Sequence, residues 1–157
     1  MGEVDSQQKA SKVREIPDPF EAISSERLEM IPAGRPDIGV IINTDELSGL
    51  CPVEYKDGHG VRDFYDITIA YEPGDGGMSV ELKSLKLYFE QFQDVPISHE
   101  DVAAVVYAHL EDLLDPAWLY VRNEPNIRGG ITTTVELGEV PADRELNPLG
   151  MEHHDAR

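Results

Sequence analysis

An α+β domain, with an antiparallel sheet covered on one face by two helices, is the fold class this sequence predicts, and three observations carry that expectation. Asp63 to Tyr71 alternates cleanly, with Tyr65, Ile67, Ile69 and Tyr71 on one side and Phe64, Asp66, Thr68 and Ala70 on the other, which is the two-residue period of a strand. Two segments then change to helical spacing, first Leu85, Tyr88, Phe89 and Phe92, then Val102, Val105, Val106, Leu110, Leu113 and Leu114. Trp118 to Arg122 and the alternating Ile131, Thr133, Val135 and Leu137 return to the strand period.

Each element has local signals. Ile38 to Asn43 is a β-branched run, and Asp45-Glu46-Leu47-Ser48-Gly49 reads as a loop that leads into Leu50-Cys51-Pro52. Pro52 favours an extended conformation at Cys51, which places the thiol at a strand or loop end. The cluster Pro73-Gly74-Asp75-Gly76-Gly77 predicts a tight connection, with Met78 to Leu82 returning as the partner strand of a hairpin. Ser84 is the expected cap of the first helix. Ser98 and Asp101 resemble a capping box for the second, which stops at Asp115-Pro116.

The chain of 157 residues is the size of one domain, expected over residues 26–140. Residues 1–25 are polar and broken by Pro17 and Pro19, and read as a mobile arm; residues 141–157 read as a flexible tail. The adjacent His153 and His154 lack further ligands nearby, so no metal site is expected. A net charge of −18 disfavours nucleic-acid backbones and anionic membranes and suits a protein kept soluble at high salt. One cysteine excludes an intrachain disulfide, and no apolar run reaches the length of a membrane span, so a cytoplasmic location is the default expectation.

Lysine is scarce, only five residues, yet two of them sit three apart in Glu81-Leu82-Lys83-Ser84-Leu85-Lys86-Leu87-Tyr88. A helix start flanked by ammonium groups attracts phosphate, although a solvated helix end explains the pair as well. Together with the cysteine of Leu50-Cys51-Pro52 upstream and His99-Glu100 downstream, this motif resembles the NADPH-dependent 7-cyano-7-deazaguanine reductases, nitrile reductases of queuosine synthesis. The similarity runs from Ile38 to Glu136. It implies the tunnelling fold, whose sheets join between subunits into a homo-oligomeric ring.

The resemblance also implies roles. Cys51 would add to the nitrile carbon to give a covalent thioimide, Asp63 would be the acid, and His99 would lie near the reacting centre. Glu100 would accept the paired N–H groups of a deazaguanine. The motif, with Glu81, Lys83, Ser84 and Lys86, would hold NADPH, and Arg128-Gly129 would contact a cofactor phosphate, although Gly129 and Gly130 fit a simple turn equally. On residues alone, Cys51 is a small apolar side chain as readily as a nucleophile, and Asp63 a strand-initiating turn residue; Asp66 is a weaker candidate acid. Two departures stand out: a longer connection from Tyr55 to Arg62, and Gln93-Asp94 where the reductases carry Arg-Asn.

Three functions follow from different classes. The first is a reductase using two NADPH, which handles no nucleic acid directly. The second is an amidine-forming transferase acting on a tRNA-borne 7-cyano-7-deazaguanine, as in archaeosine synthesis, a reading that the intact lysine motif disfavours. The third is a purine-binding module of the same fold without chemistry.

Overall fold

A computed structural model describes residues 13–144. In chain order the elements are α1 (Pro19–Ala22), β1 (Met30–Pro32), β2 (Val40–Leu50), β3 (Arg62–Glu72), β4 (Met78–Val80), α2 (Leu82–Glu90), a 3-10 turn (Gln91–Asp94), α3 (His99–Leu114), β5 (Trp118–Pro125) and β6 (Val135–Gly138). Four strands form an antiparallel sheet in the order β2-β3-β5-β6, and β1 pairs with β4 in a separate two-stranded sheet.

The alternation in β3 decides which face is covered. Tyr65, Ile67, Ile69 and Tyr71 are fully buried and join Leu119 and Val121 of β5 against Val102, Val105, Val106, Leu110 and Leu114 of α3, with Leu85, Tyr88 and Phe92 completing the core. The opposite face is mixed, with Phe64 and Ile41 exposed on it and its polar side chains paired with one another. Asn43 donates to Asp66 and Thr68 at 2.7 and 2.9 Å, Tyr120 donates to Glu136, and Arg122 pairs with Glu124. One buried apolar face and one more open, mixed face is the arrangement expected of an antiparallel sheet with helices on a single side.

The structure corrects several boundaries. Asp45 to Gly49 is not a loop: β2 runs through it, and the register shifts between Thr44 and Leu47. The bulge absorbs the polar Asp45 and Glu46 and returns Leu47 to the core at 2% exposure. Met78 to Val80 is not the hairpin partner of β3, because β2 and β5 already occupy both edges of that strand; it pairs instead with β1, Met30 opposite Val80. The last strand begins only at Val135, since Arg128 to Ile131 closes a turn in which Gly129 and Gly130 have φ of 60° and 74°. β5 extends beyond Arg122 to Pro125.

At the amino end, Asp18 caps the helical turn α1 and Ile23 is buried at 1% exposure, so packing begins before Ser25. Residues 1–12 and 145–157, including His153 and His154, lie outside the described residues. No helix among the described residues is long and apolar enough to cross a membrane.

Candidate active site

Two hydrogen bonds assemble this site. Leu50 N–H donates to the Val95 carbonyl and Ile97 N–H donates to the Leu50 carbonyl, both at 3.0 Å, which ties the end of β2 to the segment leading into α3. Cys51 N–H then donates to the Val61 carbonyl at 2.8 Å, closing the loop that returns as β3. The thiol of Cys51, half-buried, the head of β3 and the first turn of α3 are thereby brought together. Ser98 caps α3 by accepting from Asp101 N–H at 3.1 Å, as the sequence predicts.

Asp63 lies directly opposite Gly49 and is 1% exposed. A carboxylate so deep needs compensation. Arg128 supplies it by donating from Nη1 to Oδ1 at 2.7 Å, while its Nη2 lies 3.7 Å from Glu54. The bond to Asp63 raises the Arg128 pKa above its ordinary value, against its partial desolvation. On the other oxygen, His99 Nε2 stands 3.5 Å from Oδ2, a gap that a small shift converts into a hydrogen bond. Buried Asn123 fixes the turn carrying His99 by donating to its carbonyl at 3.0 Å.

Cys51, Asp63, His99 and Arg128 therefore converge from four parts of the chain. Arg128, expected at a cofactor phosphate, is engaged instead by Asp63. Glu100 follows His99 in the same first turn and is exposed, so its carboxylate is open to a ligand.

The lysine motif is built differently. Glu81, not Ser84, caps α2, accepting from Lys83 N–H at 2.8 Å and Ser84 N–H at 2.7 Å. These backbone bonds lower its pKa, and they fill the helix end that would otherwise receive an anion. Ser84 is buried and committed to the fold, donating to the Glu81 carbonyl and accepting from Glu29 N–H. The three-carbon reach that makes Glu81 the better cap is not visible in propensity, which favours serine. Of the four motif residues expected at the cofactor, Lys83 and Lys86 are the exposed pair. Lys86 lines an open groove of about 260 Å³ with Thr44, Glu46 and Phe89, whereas Lys83 lines a depression of about 340 Å³ with Arg27, Glu29 and Glu81. Neither is lined by Cys51, Asp63 or His99.

Residues 62–143 match the family model described as QueF-like protein. A Thermotoga petrophila protein named NADPH-dependent 7-cyano-7-deazaguanine reductase is 40% identical over 120 residues, which is 76% of this chain and 83% of that protein. A protein of the same name from Syntrophobacter fumaroxidans is 38% identical over 113 residues, 71% of this chain and 68% of its own. This chain belongs to the QueF-like family. Its fold is also that of a solved structure, the archaeosine synthase QueF-Like in the apo form, at a TM-score of 0.56 and 18% identity over 66% of this chain and 96% of the other. The QueF-like match begins at residue 62, at the head of β3, so it takes in Asp63, His99, Glu100 and Arg128, while Cys51 stands ahead of it.

Sequence reasoning missed three residues of this site. Glu54 gave no signal in a polar loop. Asn123 did, as an amide at an inward position of an otherwise apolar strand, and so did Tyr65, the first inward side chain after Asp63.

Proposed function

We propose that this protein reduces 7-cyano-7-deazaguanine to 7-aminomethyl-7-deazaguanine with NADPH, through a covalent intermediate on Cys51. The observation that carries the reading is the convergence of the thiol end of β2 on a buried, arginine-paired Asp63 and on His99. The names of the relatives, at up to 40% identity over most of the chain, point to the same reaction.

A nitrile is a weak electrophile, and addition of a thiol turns it into a C=N bond that is reducible. In that step the S–C bond forms as one π bond of the nitrile opens. The thiol proton passes through Asp63 to the nitrile nitrogen, so the adduct is the sum of the two reactants with no atom lost. Asp63 suits the task because Arg128 fixes one oxygen and leaves the other facing His99, which can return protons as nitrogen is reduced. Glu100 would hold the ring by accepting from its adjacent N–H groups. Four electrons separate nitrile from amine, and NADPH supplies them as hydride, two equivalents per turnover. Lys83 and Lys86 fit the cofactor's phosphates, being exposed ammonium groups beside open depressions.

We further propose a ring of subunits, because β2 and β6 each have one neighbour in the sheet and an edge left to pair.

The test is incubation with 7-cyano-7-deazaguanine in the absence of NADPH. A mass increase equal to the nitrile, lost in Cys51→Ala, followed by NADPH consumption when cofactor is added, is the expected result. Adduct that ammonia discharges without any nicotinamide consumption would make the chain a transferase, and tight binding without adduct would make it a binding module.

A further inference from the structure

Three buried tyrosines have hydroxyl partners and the fourth has none. Tyr71 OH shares a hydrogen bond with Ser79 at 2.6 Å and accepts from Val80 N–H, Tyr88 OH is bonded to His109 Nδ1 at 2.8 Å, and Tyr120 OH donates to Glu136 at 2.9 Å. Tyr65, at 1% exposure, has a buried hydroxyl without a hydrogen-bond partner among the described residues. An unsatisfied buried hydroxyl costs about 1–3 kcal/mol, and phenylalanine would fill the same space without that cost. The ring itself is well held, edge-on to the His99 imidazole with centroids 5.7 Å apart.

The direction of the hydroxyl is set by the strand geometry. Tyr65 follows Asp63 on the inward face of β3, and its oxygen lies 3.3 Å from where a Cβ on Gly49 would stand. Gly49 precedes Cys51 by two residues, one strand period, so the phenol points along the edge that ends in the thiol. Burial, helped by the charges of Asp63 and Cys51 and opposed by Arg128, pushes the phenol well above its ordinary pKa, so it is a donor at neutral pH.

We infer that the Tyr65 hydroxyl is a positioning residue for the nucleophile, a hydrogen-bond donor held in reserve for the Cys51 sulfur when it becomes the thiolate. Neutral thiol is a weak acceptor and thiolate a strong one, so the donor has little to bind at rest and a good partner when the sulfur ionises. Tyr65 keeps its proton throughout and no bond to it is made or broken. The inference rests on the reading of Cys51 as the attacking group.

Alkylation of Cys51 by iodoacetamide, followed by mass spectrometry across a range of pH, tests it on the full chain without substrate or cofactor. In Tyr65→Phe the rate near neutral pH is expected to fall about tenfold, the loss of one hydrogen bond to an ionised acceptor. The rate–pH profile should move toward alkaline pH, with its plateau and the thermal unfolding midpoint each equal to or above the parent's. Asp63, His99, Arg128 and Glu54, the other charged or titratable groups drawn together there, are common to both proteins, so the difference reports the hydroxyl alone. Superimposable profiles would overturn the inference. A plateau lowered by the same factor would assign the effect to access, and a lowered unfolding midpoint would mean the hydroxyl serves the fold; either would overturn it too. Failure of the parent to form the nitrile adduct counts against the proposed reaction and leaves the alkylation comparison intact.

Discussion

The acid end and the lysine end of this molecule are built in opposite ways. Asp63 is 1% exposed and is gripped by partners from distant parts of the chain, whereas Lys83 and Lys86 stand in water on a single helix and line different depressions. A buried charge keeps its geometry because any displacement sacrifices pairing that solvent cannot replace. An exposed ammonium group keeps no geometry until a ligand gives it one. Bond making needs the first kind of site, and a ligand that must arrive and leave is better served by the second.

The sharpest way to break this contrast is at its buried end. Asp63→Asn is expected to slow turnover by about 10²–10⁴-fold while keeping affinity for 7-cyano-7-deazaguanine, whereas Glu100→Ala should chiefly weaken that affinity. Equal loss of binding in both variants, measured by calorimetry, would merge the two roles. Next in size is Arg128→Met, which removes the partner of Asp63. It should slow turnover and leave the Michaelis constant for NADPH unchanged. A raised constant with normal turnover would move Arg128 to the cofactor.

At the exposed end the effects are smaller. Lys83→Ala and Lys86→Ala should each raise the Michaelis constant for NADPH about three- to tenfold, with the yield of Cys51 adduct unaltered. Loss of adduct in either variant would show that the two regions are not independent. The smallest effect separates pH dependence of the fold from that of the chemistry. Burial lowers the pKa of His109, with Asp112 opposing, and its Nδ1 is held by Tyr88 OH at 2.8 Å. Because the folded value is depressed, the unfolded chain takes up the proton first as pH falls through the ordinary value of 6.5. Stability is therefore full above that pH and declines below it. His109→Gln should flatten the fall in melting temperature between about pH 7.5 and about pH 5.5 without moving the pH profile of turnover.

The parts of the fold that were legible in the sequence are those where one period repeats. β3 and α3 were placed by alternation and by apolar spacing, and their buried faces are the ones expected. β2 was split at Asp45 because a bulge interrupts the period for two polar residues and hides the continuity on either side. The β1–β4 pairing could not be read at all, since two three-residue strands carry no period and what decides their partner is the occupancy of β3. Within the site, Asp63 and His99 could be singled out as residue types, but their shared oxygen could not. Arg128 is a related case: a cation beside two glycines reads as a phosphate contact, and only the tertiary fold brings it to a carboxylate 65 residues away.

The pair of hydrogen bonds at Leu50 has a further consequence, for how the molecule comes apart. Leu50 and Ile97 are separated by the whole of β3, β4 and α2, and the clamp between them needs those elements docked. Contacts of such sequence separation form late and are slow to recover once lost, because the intervening chain must be gathered again. Cys51 and Asp63 lie together at the end of the β2–β3 hairpin, whereas His99 reaches them only through that closure. The hairpin alone holds the thiol and the carboxylate but neither His99 nor Arg128, so the full set exists only in the docked domain, and a melting curve of the core is also a melting curve of the assembled site.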